Sequence, residues 1–247
     1  MMKKLSIIAI LMAITVFCAF AFQFSPMEQT FESSGANAQK TYTIVNDSDE
    51  DIAVKLSVMT RSQDEYGNEI REKSSNEFQL SASQIIVKAN SSYVIRVKYR
   101  GSSTVATEKA YRLIAEQVSY SKGKEDSSQT MFNFLYVYVT SLYVSPSKTV
   151  ENVELESITA RQDEEGNKYL DVTIRNKGNV HKILNGMVLN VTDASGNTVT
   201  LSTSDQLLGI YGTNILAKKT ITKSISWPEG LEFSDAAEYV GSLSFEE

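Results

Sequence analysis

The sequence predicts an all-β protein of two immunoglobulin-like β-sandwich domains. Three observations carry that prediction: apolar residues recur with a period of two, turn residues punctuate them at short intervals, and no stretch outside the N-terminus keeps a helical stripe. At 247 residues, with 42% hydrophobic and 22% charged content, the chain is long enough for two ordinary cores and too apolar for disorder. Only 3 prolines, 12 glycines and no low-complexity tract exclude collagen-like and linker architectures, while 12 Tyr and 10 Phe supply large apolar groups. A net charge of −6 with no basic run excludes a general nucleic-acid binder, which needs cations to displace the counterions of phosphate.

Taken in order, the first element is not part of the fold. Lys3 and Lys4 precede an apolar run of 16 residues from Ile7 to Phe22, and Ala19-Phe20-Ala21 offers a small-x-small site, so residues 1–21 are expected to be a signal peptide cleaved after Ala21. The run is short for a membrane span and has no basic stop-transfer flank. Bulky Phe17 argues against lipid attachment at Cys18, the sole cysteine. The exported form would then hold itself together without disulfides, by core burial alone.

The strand signals follow. Alternation rich in β-branched and aromatic residues appears at Thr41–Val45, Ile52–Val58, Tyr93–Tyr99, Tyr169–Ile174 and Met187–Val191. Tyr66-Gly67-Asn68, Glu165-Gly166-Asn167 and Ser195-Gly196-Asn197 read as hairpin turns, because Gly and Asn tolerate positive φ. This spacing argues for antiparallel sandwiches. A break at Pro146-Ser147-Lys148 divides the exported chain into residues 22–146 and 147–247, each of a size suited to one such domain.

One segment stands apart, from Met131 to Thr140. Alternation puts Phe132, Phe134, Tyr136 and Tyr138 on one face and Leu135, Val137 and Val139 on the other, so both faces are apolar and both need cover. Either this is a strand buried within its own domain, or one side is left open for a partner in the manner of β-augmentation.

Chemistry finds few parts. His181 is the only histidine and no cysteine lies beyond Cys18, so nucleophilic triads, zinc and haem sites lack their residues. No two of the 30 acidic residues are paired by any motif. The cluster from Asp47 to Asp51 lacks the glycine of a calcium loop and has Val58 where the bidentate Glu belongs, so it reads as a solvated turn. No catalysis, cofactor or metal is expected.

Several stretches in sequence order resemble the periplasmic chaperones of the chaperone–usher pilus pathway, the PapD-like family. These are the opening strand closed by Val45-Asn46, the stretch Ser81–Asn90 followed by Tyr93–Val97, the segment Glu108–Val118, the turn Asn176-Lys177-Gly178-Asn179-Val180-His181, and Leu208–Gly212 through Trp227-Pro228. The likeness covers nearly all of the exported sequence. It departs from the pattern at both prolines of the second stretch, and at Ile114 and Ser119.

The resemblance implies a boomerang of two immunoglobulin-like domains that binds incomplete pilus subunits by donor-strand complementation. Such a protein would deliver them in the periplasm to an outer-membrane usher for fimbrium biogenesis. It implies a donor face of Phe132, Phe134 and Tyr136, with Tyr138 as a fourth member. It also implies an interdomain ion network of Arg96, Glu108 and Glu238. The positions matching the family's cationic carboxylate anchor hold Glu28 and Ser141, so no anchor is carried over, and Arg112 and Lys109 are left as other bases nearby. Self-association through the donor strand is open. The rival reading is a structural or adhesive immunoglobulin-like surface module without chaperone activity, which needs no donor strand and no usher.

Overall fold

Alternation along each strand decides which side chains meet in the middle of the first sandwich. The structure is a computed structural model that describes residues 22–73, 76–120 and 135–246. The expected signal peptide, residues 1–21, lies outside the described residues. The first sandwich comprises β1 (Gln23–Ser25), β2 (Glu28–Glu32), β3 (Gln39–Asn46), β4 (Ile52–Gln63), β5 (Glu69–Lys73), β6 (Phe78–Leu80), β7 (Gln84–Val87), β8 (Ser91–Tyr99), β9 (Lys109–Val118) and β10 (Val137–Ser145). They form two sheets, ordered β1-β3-β8-β6 and β2-β10-β9-β4-β5, with β7 also on β4. Between the sheets lie Tyr42 and Ile44 of β3, Ile95 and Val97 of β8, Tyr111 and Leu113 of β9, and Leu142 and Val144 of β10. Burying a large apolar side chain of this kind contributes roughly 1.5–3 kcal/mol.

The chain changes sheet at its start. β1 pairs antiparallel with β3, the chain crosses at the cis Ser25–Pro26 bond, and β2 then pairs parallel with β10. This parallel pair departs from the wholly antiparallel expectation. A hairpin cannot join parallel neighbours, and nearly the whole first sandwich serves as their connection.

The second sandwich comprises β11 (Val153–Gln162), β12 (Lys168–Asn176), β13 (Lys182–Ile183), β14 (Met187–Thr192), β15 (Thr198–Leu201), β16 (Asn214–Ile215), β17 (Thr220–Ser226) and β18 (Val240–Phe245). Its sheets run β11-β12-β17 and β15-β14-β18, with β13 paired to β16. Leu170, Val172 and Ile174 face Met187, Leu189 and Val191 in a core separate from the first. The fold is therefore two immunoglobulin-like sandwiches. Among the described residues the only helix is a short 3-10 segment, Ala36–Ala38.

The three hairpin turns share one device that reaches further back than Gly-Asn. Asp64, Asp163 and Asp193 each accept, on Oδ1, the backbone N–H groups two and four residues on. Gly67, Gly166 and Gly196 take φ of 75°, 89° and 88°, which only glycine adopts freely. Two buried asparagines do the equivalent work at strand ends. Asn46 Nδ2 donates to the carbonyls of Glu50 and Lys88, at 2.8 and 3.0 Å, and Asn176 Nδ2 donates to Val180 O at 2.8 Å. Backbone groups that would otherwise be buried unpaired are satisfied in both sandwiches.

Candidate functional site

β10 is covered along only part of its length. From Ser141 to Val144 it lies between β2 and β9, whereas Val137 to Thr140 pair with β9 alone. Among the described residues no strand lies along the other edge of those four. The backbone orientation there follows from two bonds. Gln117 N–H donates to Tyr136 O, which directs even-numbered backbone groups to β9, and Ser141 N–H donates to Met27 O, which directs odd-numbered ones the other way. The N–H and C=O groups of Val137 and Val139 therefore point out of the sheet edge, in the manner of a strand awaiting a neighbour.

Side chains follow the same alternation. Tyr136 and Tyr138 turn to the core side and pack against the first core, on the same face as Leu142 and Val144. Tyr138 sits edge-on to Phe22, with ring centroids 4.8 Å apart, and near Phe24, and its hydroxyl donates to Phe22 O. Tyr138 thus also closes the end of its own domain's core. Leu135 and Val137 on the opposite face are about half exposed, at 48% and 55%. Phe132 and Phe134 lie outside the described residues.

The structure does not bring the expected ion network together. Arg96 points outward on β8 between inward-facing Ile95 and Val97, Glu238 is exposed, and among the described residues neither pairs with Glu108. Alternation is the reason: neighbours of core residues on a strand face solvent. Arg96→Ala is accordingly expected to change unfolding free energy by no more than about 0.5 kcal/mol in a denaturant titration.

Glu108 instead meets His181. The Glu108 side chain is 3% exposed, His181 Nδ1 lies 2.6 Å from Oε1, His181 N–H donates to the same oxygen at 3.0 Å, and Ser145 Oγ donates to Oε2 at 3.0 Å. The imidazole stacks on Tyr143, with centroids 3.9 Å apart and planes 12° apart. Tyr143 Oη in turn accepts from Arg61 Nη1 and from Asn214 Nδ2, both at 2.8 Å. The lone histidine, which reads in sequence as a turn residue, is a link in the joint between sandwiches.

Glu28 and Ser141 stand opposite each other across β2 and β10. The cation beside them is Arg112, whose Nη1 donates to Ser141 Oγ at 2.6 Å. Arg112 is already engaged by Glu69 of β5, which also pairs with Arg61 at 2.9 Å and with Arg71. Burial alone would push the Glu69 carboxyl up. The Arg112 and Arg71 hydrogen bonds and the Arg112 and Arg61 charges outweigh it and bring the carboxyl down to about 2.

No protein-family model matches the sequence, and no curated protein matches it. Solved structures do resemble it in fold. The class 5 fimbriae chaperone CfaA superposes with a TM-score of 0.55 at 16% identity, over 92% of this chain and 100% of CfaA. The CsuC–CsuE chaperone–tip adhesion subunit pre-assembly complex, from the archaic chaperone–usher Csu pili of Acinetobacter baumannii, gives 0.55 at 16% identity, over 90% and 92%. The Salmonella enterica SafA pilin in complex with the SafB chaperone gives 0.50 at 15% identity, over 84% and 85%. The chain shares the two-sandwich fold of fimbrial chaperones.

Proposed function

We propose that this chain is a periplasmic chaperone of the chaperone–usher type, exported on residues 1–21, with a strand-supplying domain at 22–146 and a second domain at 147–247. It holds pilus subunits whose own sandwich is incomplete by adding a strand to them and passes them to an outer-membrane usher. The observation that carries this reading is the uncovered edge of β10 at Val137 and Val139, on a strand whose other face continues the first core through Tyr136 and Tyr138. A subunit lacking a strand exposes unpaired backbone and an apolar groove, both of which aggregate. The edge of β10 satisfies the backbone, and Tyr136 with Phe132 and Phe134 supplies apolar groups to the groove, so that the two cores become continuous. The solved relatives include chaperones in complex with a pilin and with a tip adhesin subunit. No reaction is catalysed. The carboxylate anchor stays unassigned, because Arg112 is held by Glu69.

Hydrogen exchange on a complex with an incomplete pilus subunit tests the reading. The Val137 and Val139 amides are expected to exchange freely in the unbound chain and to become protected roughly 100-fold or more when the subunit binds. Tyr138 and Thr140, already bonded to β9, should change little. Unchanged exchange at Val137 and Val139 in a formed complex would sink the proposal.

A further inference from the structure

The β4–β5 hairpin does something beyond closing its own sheet. β4 is twelve residues long and runs past the first core, so that its last residue, Gln63, stands against the second sandwich. Gln63 is 6% exposed, and both ends of its amide are bonded to second-sandwich backbone. Its Nε2 donates to Asn214 O at 2.5 Å, and its Oε1 accepts from Leu216 N–H at 2.8 Å. A primary amide used in this way copies the donor–acceptor pair that a peptide unit presents to a neighbouring strand. One residue beyond the start of the turn, Glu65 O accepts from Thr222 N–H at 2.7 Å, a rung on the free side of edge strand β17. Gly67 brings the tip close enough that a Cβ there would lie 3.1 Å from Lys223 Cε.

The joint has a second point of attachment, built from other residues. Glu108 N–H donates to Asn179 O at 2.8 Å, Asn179 Nδ2 donates to Ala106 O at 3.2 Å, and Glu108 takes the His181 contacts described above. One attachment permits rotation about itself. Two, on separate segments of the second sandwich, do not.

We infer that Gln63 is a positioning residue: the hairpin clamps strands β16 and β17, and together with the Glu108–His181 contact it fixes the angle between the two sandwiches. Because β10 runs directly from its open edge into the joint through Tyr143 and Ser145, this angle sets where the second sandwich stands relative to that edge. This angle is a property of the molecule alone, whatever the edge binds.

The test is an interdomain distance distribution, measured by pulsed electron spin resonance between labels at Lys55→Cys and Glu165→Cys in a Cys18→Ser background. The parent should give one narrow distance. Gln63→Leu, which removes both amide bonds, should broaden it roughly twofold, and Gln63→Glu, which keeps the acceptor but turns an oxygen toward Asn214 O, should fall between them. Thr222→Pro gives an independent second variant, since its lost N–H faces away from β12 on an edge strand, where proline is tolerated. Circular dichroism confirms that each variant is folded. Narrow parent-like distances in folded Gln63→Leu and Thr222→Pro would overturn the inference.

Discussion

Val139→Pro should abolish recovery of a soluble complex with a pilus subunit while leaving the protein itself folded. The Val139 N–H points out of the open edge of β10, away from β9, so proline there removes no bond from the protein's own ladder. A subunit strand arriving at this edge meets a ring in place of a donor, and one of its buried carbonyls is left without a partner. An unsatisfied buried acceptor costs about 1–3 kcal/mol, or about 5- to 150-fold in affinity, before any clash is added. Tyr138→Pro, one residue away, is the control. Its N–H faces Ala115 on β9, so it should unfold the first sandwich rather than spare it. Co-purification of a co-expressed subunit and thermal melting of each variant separate the two. If Val139→Pro still yields parental amounts of complex, subunits do not bind by pairing with this edge.

Glu69→Ala should cost stability at neutral pH and cost nothing in strong acid. At neutral pH the carboxylate serves Arg61 and Arg112, whose side chains are only 8% and 16% exposed, and its removal leaves both guanidinium groups without their acid. Breaking a fully buried pair costs about 3–5 kcal/mol, and the partial exposure of Glu69 reduces this to about 2 kcal/mol. The sign with pH follows from the lowered carboxyl. Its stabilisation is present above the unfolded value of 4.5 and is lost as pH falls toward the folded value of about 2. Parent and variant should therefore differ in urea titrations at about pH 7 and converge near about pH 2. A gap that persists undiminished in acid would show that Glu69 acts through packing rather than charge.

Much of the fold is legible in the sequence because strands bury alternate residues. Thr41–Val45, Ile52–Val58, Tyr93–Tyr99, Tyr169–Ile174 and Met187–Val191 all fall within observed strands, and the three Gly-Asn turns close hairpins. What alternation cannot show is which sheet a strand joins. The split of the first strand around Pro26 and its parallel seat beside β10 follow from neighbours far away in sequence. The strand β5 carries one apolar residue, Ile70, and no alternation, so the pairing of Glu69 with Arg61 and Arg112 is invisible before the fold is known. Arg96 teaches the reverse lesson. Its flanking residues Ile95 and Val97 already declare it an outward position, and the resemblance that placed it in a buried network overrode that plainer physical signal. Gln63 and His181 are legible only as polar residues at strand or turn ends, since their partners belong to the other sandwich.

The parallel seating of β2 against β10 fixes an order of assembly. Glu28–Glu32 are made early, and Ser141–Ser145, which they pair with, appear about a hundred residues later. Until those later residues are made, Phe31 has no finished layer to enter, and the first sandwich stays open along one side. Contacts of such long sequence separation are slow to form, because the loop they close must be ordered first. The nascent chain therefore passes through the condition it is proposed to relieve in others, a sandwich lacking a strand, and it leaves that condition only when its own β10 arrives.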